Sequence, residues 1–145
     1  MSIERKRLAA FFTFFAACAM PPAAAQEVPI DAGTLKATVL AETNAYRKSK
    51  NVPELRPNAP LEAAASAYAL YLAEHEGTGH TADGRTPSKR AGAQGYKWCF
   101  IAENVWSGWR KPDPMLVEDV ARKAMDGWKK SPGHNSNLLG KQTRD

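Results

Sequence analysis

Three features of the chain carry groups able to do chemistry, and they lie far apart in sequence. His80 stands in Gly79-His80-Thr81-Ala82-Asp83-Gly84-Arg85-Thr86-Pro87, a glycine-flanked stretch that reads as a loop between two helices and leaves the imidazole open to solvent or ligand. Glu103, in Glu103-Asn104-Val105, is a carboxylate inside an aromatic, mostly apolar segment, where it needs a partner or a raised pKa. His134 lies in Ser131-Pro132-Gly133-His134-Asn135-Ser136-Asn137-Leu138-Leu139, at the start of a helical turn. Two imidazoles and a carboxylate could converge as metal ligands or as an acid/base set. Their spacing is long and irregular, unlike H-E-x-x-H or C-x-x-C, so structural hydrogen bonding is the default. The third histidine, His75, falls on the apolar face of a helix and reads as a core residue. Neither Ser66 nor Ser131 has an elbow or oxyanion pattern around it, which argues against serine-hydrolase chemistry.

Mostly helical elements must position these groups. From Thr34 to Lys48, Leu35, Val39, Leu40 and Tyr46 follow a helical spacing, with Arg47 and Lys48 at the end the dipole favours. Pro53, Pro57 and Pro60 make the next segment irregular. A second helix is expected from Leu61 to about Glu76, with Leu61, Ala64, Ala65, Tyr68, Leu72 and His75 on one face, ended by Gly77 and Gly79. A short third one runs from Pro87 to about Gln94, with Thr86 as N-cap and Gly95 at the left-handed C′ position. The aromatic and β-branched run from Trp98 to Trp106 suits a strand or extended stretch. Asp113-Pro114 reads as a cap and first turn for a helix to about Lys129, with Leu116, Val117, Val120, Ala121, Ala124 and Trp128 on one side. Ser131-Pro132 repeats that device and opens a turn through Leu139.

The N-terminus divides the chain. Arg5, Lys6 and Arg7 precede an uncharged, nearly all-apolar run over residues 8–20, then Pro21-Pro22 and Ala23-Ala24-Ala25. That order is a cleavable signal peptide over residues 1–25, with cleavage before Gln26. The run is too short to span a bilayer, which takes roughly 20 apolar residues, so no transmembrane anchor is expected. Phe15-Ala16-Ala17-Cys18 leaves a lipoprotein through Cys18 as the minor alternative. Residues 26–33 form a flexible leader and residues 34–145 one domain. Losing residues 1–25 removes three positive charges and one negative, taking the formal charge from +5 to +3. That is enough for loose attraction to anionic wall polymers or headgroups and far short of a nucleic-acid footprint. Cys99 is the lone cysteine left, so no internal disulfide can form. Between Trp98 and Phe100 it reads as a buried, inert thiol.

The order of motifs resembles the CAP superfamily: the SCP-like extracellular domains of cysteine-rich secretory proteins, antigen 5 and pathogenesis-related proteins, and more narrowly their bacterial, cysteine-poor branch. The matching residues are Asn44-x-x-Arg47; His80 with Asp83-Gly84-Arg85-Thr86-Pro87; Arg90 with Gly95-Tyr96; Glu103-Asn104-Val105; and Trp128-x-x-Ser131-Pro132-Gly133-His134-x-x-Asn137-Leu138-Leu139. They cover roughly residues 35–140. The resemblance implies an α+β fold, an α-β-α sandwich whose cleft is lined by two His and up to two Glu, and which in some members binds a divalent cation such as zinc. His80, Glu103 and His134 match three of those four positions. Ser131 stands where many members have the second Glu, which weakens the case for tight metal binding. Members continue into a Gly-Val-Gly type strand and a final aromatic strand, so the chain reads as C-terminally truncated, its last sheet strands missing. The function expected is a secreted or periplasmic binding module using the His80/Glu103/His134 cleft for an apolar molecule, a wall component or a protein. A metal-dependent hydrolase acting through the same cleft is the alternative.

Overall fold

The computed structural model describes residues 30–108 and 116–142. They form five helices: α1 (Ala32–Ser49), α2 (Ala59–Glu74), α3 (Pro87–Ala93), α4 (Val117–Lys130) and α5 (Pro132–Leu138). The signal peptide, Cys18 and the Asp113-Pro114 turn all lie outside the described residues.

Each helix begins where local chemistry lets it. Asp31 caps α1 by accepting from the Thr34 N–H at 2.6 Å, and Asn58 caps α2 by accepting from the Leu61 N–H at 3.2 Å. The second helix starts at Ala59, ahead of the expected Leu61, because Pro60 occupies the first turn, where a missing N–H costs nothing. Thr86 caps α3 through the Lys89 N–H, and that helix closes as a Schellman motif. There the Tyr96 N–H donates back to the Ala91 carbonyl at 3.1 Å, with Gly95 at φ +82°. Neither Leu116 before α4 nor Ser131 before α5 makes a side-chain cap bond. In α4, Glu118 and Asp119 instead place negative charge in the first turn and Lys129 and Lys130 place positive charge in the last.

The core forms where α4 packs on α1 and α5, and where α2 packs on α3. Val120, Ala121, Ala124 and Met125 give α4 its buried stripe, with Ala121 and Met125 fully enclosed. Leu116, expected on that stripe, lies ahead of the helix and is 65 % exposed. The two buried residues of α1 are polar, Thr43 and Arg47, on the same helix row as half-buried Leu35 and Val39. Thr43 Oγ1 lies 3.5 Å from Met125 Sδ, and Arg47 donates to the carbonyls of Pro53 and Leu138 at 2.7 Å each and of Gly140 at 3.2 Å. A fully buried guanidinium thus takes up carbonyls at the end of α5 that the helix leaves unpaired.

The α+β expectation, an α-β-α sandwich, is overturned: among the described residues there are five helices and no strand. The run from Trp98 to Trp106 has no regular structure. A strand needs a neighbouring strand to pair its backbone, and here side chains take that role. Asn137 Nδ2 donates to the Glu103 carbonyl at 3.3 Å and Trp128 Nε1 to the Val105 carbonyl at 3.2 Å. Cys99 in this run is exposed rather than buried, as are Trp98 and Phe100 on either side. His75 is also not a core histidine. It ends α2 as an exposed C-cap, its ring stacked 4.1 Å from that of Tyr71 and its Nδ1 2.9 Å from the Tyr71 carbonyl.

Candidate functional site

His80, Glu103 and His134 meet, although they come from the α2–α3 loop, the extended run and α5. His80 Nδ1 lies 2.9 Å from Glu103 Oε1, and the rings of His80 and His134 have centroids 6.4 Å apart, tilted by 50°. A carboxylate only accepts, so in the neutral ring the proton sits on Nδ1 and Nε2 keeps the free lone pair. His80 is exposed and His134 half-buried, so the pair borders solvent.

Arg90 on α3 organises the inner side. Its guanidinium reaches both Glu103 oxygens at 3.0 and 2.8 Å, Asp83 Oδ1 at 2.9 Å, and the carbonyls of His80 and Arg85 at 3.0 and 2.8 Å. It also lies 3.5 Å from the centre of the Tyr68 ring. Arg90 and Asp83 are buried to within a few per cent. Tyr68, the buried aromatic of α2, fixes the loop from behind: its hydroxyl donates to the Gly79 carbonyl at 2.7 Å and accepts from the Ala82 N–H at 3.1 Å. One arginine therefore sets the position of both acids and of the His80 backbone.

Asp83 holds its proton more weakly than an ordinary aspartate. Burial pushes its pKa up, but the Arg85 N–H and side chain and the Arg90 charge outweigh that and keep it below the usual value of 3.8. On the α5 side, Asn104 Nδ2 donates to the His134 carbonyl at 3.1 Å. Asn137 Nδ2 donates to Asn104 Oδ1 at 2.9 Å, so the two asparagines staple the extended run to the helix carrying His134.

The implied divalent cation can be tested against these residues. Glu103 spends both oxygens on Arg90 and one on His80, so it orients His80 rather than offering a ligand. That leaves two imidazoles. Around a tetrahedral ion their centroids would sit roughly 5 Å apart given metal–nitrogen bonds near 2.0–2.1 Å, closer than the 6.4 Å here. No group of three His, Cys, Asp or Glu side chains among the described residues is arranged to hold a metal. The set does not fit a three-ligand zinc centre.

The spacing of His80, Glu103 and His134 did not reveal that they meet. Arg90, Asp83 and Tyr68 were not recognised as part of the site. A signal was available for Arg90: it sits on a short helix beside Ala91, and a carboxylate in an apolar run needs a cation from somewhere.

The model of the cysteine-rich secretory protein family, CAP, matches residues 40–145, a span that contains every residue of this site. No curated protein and no solved structure gives a match. By that match, and with its His, Glu and Arg positions gathered at one place, the chain belongs to the CAP family.

Proposed function

We propose that the chain is a secreted or periplasmic binding module, delivered by the signal peptide read over residues 1–25, and that His80 and His134 contact its ligand. The observation that carries this reading is the engagement of Glu103. A carboxylate locked to a buried arginine is a poor general base and a poor metal ligand, but it is a good anchor for an imidazole. The ring of His80 is held in one orientation and one tautomer, with Nε2 turned away from Glu103 and the ring of His134 beside it. Two such groups supply hydrogen bonds and ring faces to a ligand without doing covalent chemistry on it. No hydroxyl or thiol is hydrogen-bonded to either ring among the described residues, so the arrangement also lacks an activated nucleophile. A wall component rich in hydroxyl and amide groups suits this surface better than an apolar molecule does. No helix among the described residues is long and apolar enough to cross a membrane.

The test is a pull-down on purified cell-wall material with and without chelator. Binding should survive the chelator and fall at least tenfold in His80→Ala and His134→Ala, each checked for native helix content by circular dichroism. Binding lost in chelator and restored by zinc would replace this reading with a metal-dependent one, and turnover of ester or peptide substrates would make the chain a hydrolase.

A further inference from the structure

Away from the His80 site, a second surface of the molecule carries a charge pattern that helix packing alone does not require. Helices α1 and α4 run parallel. Thr43 touches Met125, and one turn further along both helices Tyr46 meets Lys129. Their C-terminal ends therefore share one edge of the molecule, where Lys48, Lys50, Lys129 and Lys130 gather. Two of the four flank a single ring: Lys129 Nζ is 4.9 Å and Lys50 Nζ 5.8 Å from the centre of Tyr46. Their separation cannot exceed the sum of those distances, which is close to the screening length of about 8–10 Å in physiological salt. The ammoniums therefore feel each other.

Helix ends explain only part of this charge. Two C-termini contribute about half a negative charge each, some −1 against four lysines. Among the described residues none of Lys48, Lys50, Lys129 and Lys130 is in an ion pair; Lys89, Lys97 and Lys123 are not either, so what distinguishes this edge is that four such lysines share the ends of two packed helices. The edge is left with an excess of about three positive charges by this count.

We infer that this lysine edge is a docking surface for a soluble, base-free phosphate polymer, of the polyphosphate or phosphodiester type. The four cations, exposed Lys48, Lys50 and Lys130 and half-buried Lys129, are all lysines, point charges on flexible stems that follow charge density rather than the fixed fork geometry an arginine reads. At this edge Tyr46 is already engaged, with two ammoniums over its ring at 4.9 and 5.8 Å and its hydroxyl donating to Asn135 Oδ1 at 2.9 Å, which disfavours a stacked nucleobase there. Among the described residues none of the exposed large apolar side chains, Leu70, Trp98, Phe100 and Leu116, belongs to the last turn of α1 or α4, which favours a soluble polyanion over a bilayer. Asn135 adjoins His134, so α5 joins the edge to the histidine site.

The experiment measures binding of the purified chain to immobilised long-chain inorganic polyphosphate as salt is raised. Four contacts at about 0.7 counterions each give a logarithmic slope near −3, a loss of roughly fifty-fold for a fourfold rise in salt. The variant K48Q/K50Q/K129Q/K130Q should lose that slope and at least thirty-fold in affinity at low salt. The control K36Q/K89Q/K97Q/K123Q removes the same charge from other surfaces and should bind within threefold of the parent. Equal losses in the two variants would reduce the effect to net charge and overturn the site. So would tighter binding to single-stranded DNA of matched phosphate number, or to phosphatidylglycerol vesicles that polyphosphate fails to displace. Far-ultraviolet circular dichroism and the melting temperature of both variants show whether a loss comes from unfolding, and a four-lysine variant that is folded and still binds also overturns the proposal.

Discussion

Replacing Arg90 by Met tests how much of the site rests on one side chain. Methionine is close to arginine's aliphatic stem in size and keeps most of the packing on Tyr68, while the charge and every donor are lost. Two carboxylates then lose the Arg90 charge: Asp83, with 3 % of its side chain exposed, and Glu103, with 20 %. The carbonyls of His80 and Arg85 lose a donor as well. Breaking a buried pair by deleting one partner costs about 3–5 kcal/mol, because the remaining charge stays desolvated. Asp83 stays enclosed but keeps Arg85 as a second partner, and half-buried Glu103 regains some water, so the loss falls at the lower end of that range. An estimate of about 3 kcal/mol follows for the sum. In a domain of this size each kcal/mol moves the midpoint by several degrees, so Tm should fall by roughly 10–20 °C. Urea unfolding followed by tryptophan fluorescence and circular dichroism measures the loss. Asp83→Asn in the Arg90→Met background should recover part of it, since the orphaned charge is then gone. A single Arg90→Met variant within about 1 kcal/mol of the parent would refute the argument that these charges are held by one buried arginine.

Other consequences follow from the same structure. Met125, fully enclosed between α1 and α4, should cost about 2–5 kcal/mol when truncated to Ala, read from the urea midpoint at unchanged m-value. Asp83 has a folded pKa below 3.8, so its contribution is complete above that pH and disappears as acid carries the pH down through the lowered folded value. Stability should therefore decline below about pH 4, and Asp83→Asn should show a shallower acid limb than the parent in urea titrations at stepped pH. Asn44, whose side-chain amide exchanges two hydrogen bonds with the Leu55 backbone at 3.0 and 2.8 Å, should cost about 1–2 kcal/mol as Ala and loosen the segment after α1 in hydrogen exchange.

The sequence was most legible where one residue's chemistry decides one local event. Thr86 before Pro87 opens α3, and Gly95 closes it in the left-handed conformation that residues with a Cβ avoid. The apolar stripe of α4 shows because its positions repeat at the helical period over three turns. In α1 periodicity located the inward side, with Leu35, Val39, Leu40 and Tyr46 half-buried, but not its most enclosed residues. Those are Thr43 and Arg47, chosen by a sulfur on α4 and by carbonyls at the end of α5, and neither neighbour can be read from α1 itself. His75 failed for a related reason: it falls where the helix ends, so the face it was assigned to no longer exists at that residue.

The extended run shows why fold class was the least legible property. Aromatic and β-branched residues from Trp98 to Trp106 state a backbone preference, but strand formation depends on what lies alongside. Among the described residues what lies alongside is helix, and the run is held by Asn137 and Trp128 through its carbonyls and by Arg90 through the Glu103 side chain. The residues that carry the family resemblance are largely those that do this holding. Arg47, Arg90, Asn104, Trp128 and Asn137 each donate to a group on a different segment, while exposed His80 and half-buried His134 lie side by side among them. Read physically, the motif is a fastening set around two histidines. A variant such as Asn137→Ala should then disturb the position of His134 before it disturbs the helices. Its imidazole resonances should shift in NMR spectra while helix content stays at the parent's value. Loss of helix without movement of His134 would show that Asn137 serves the fold rather than the site.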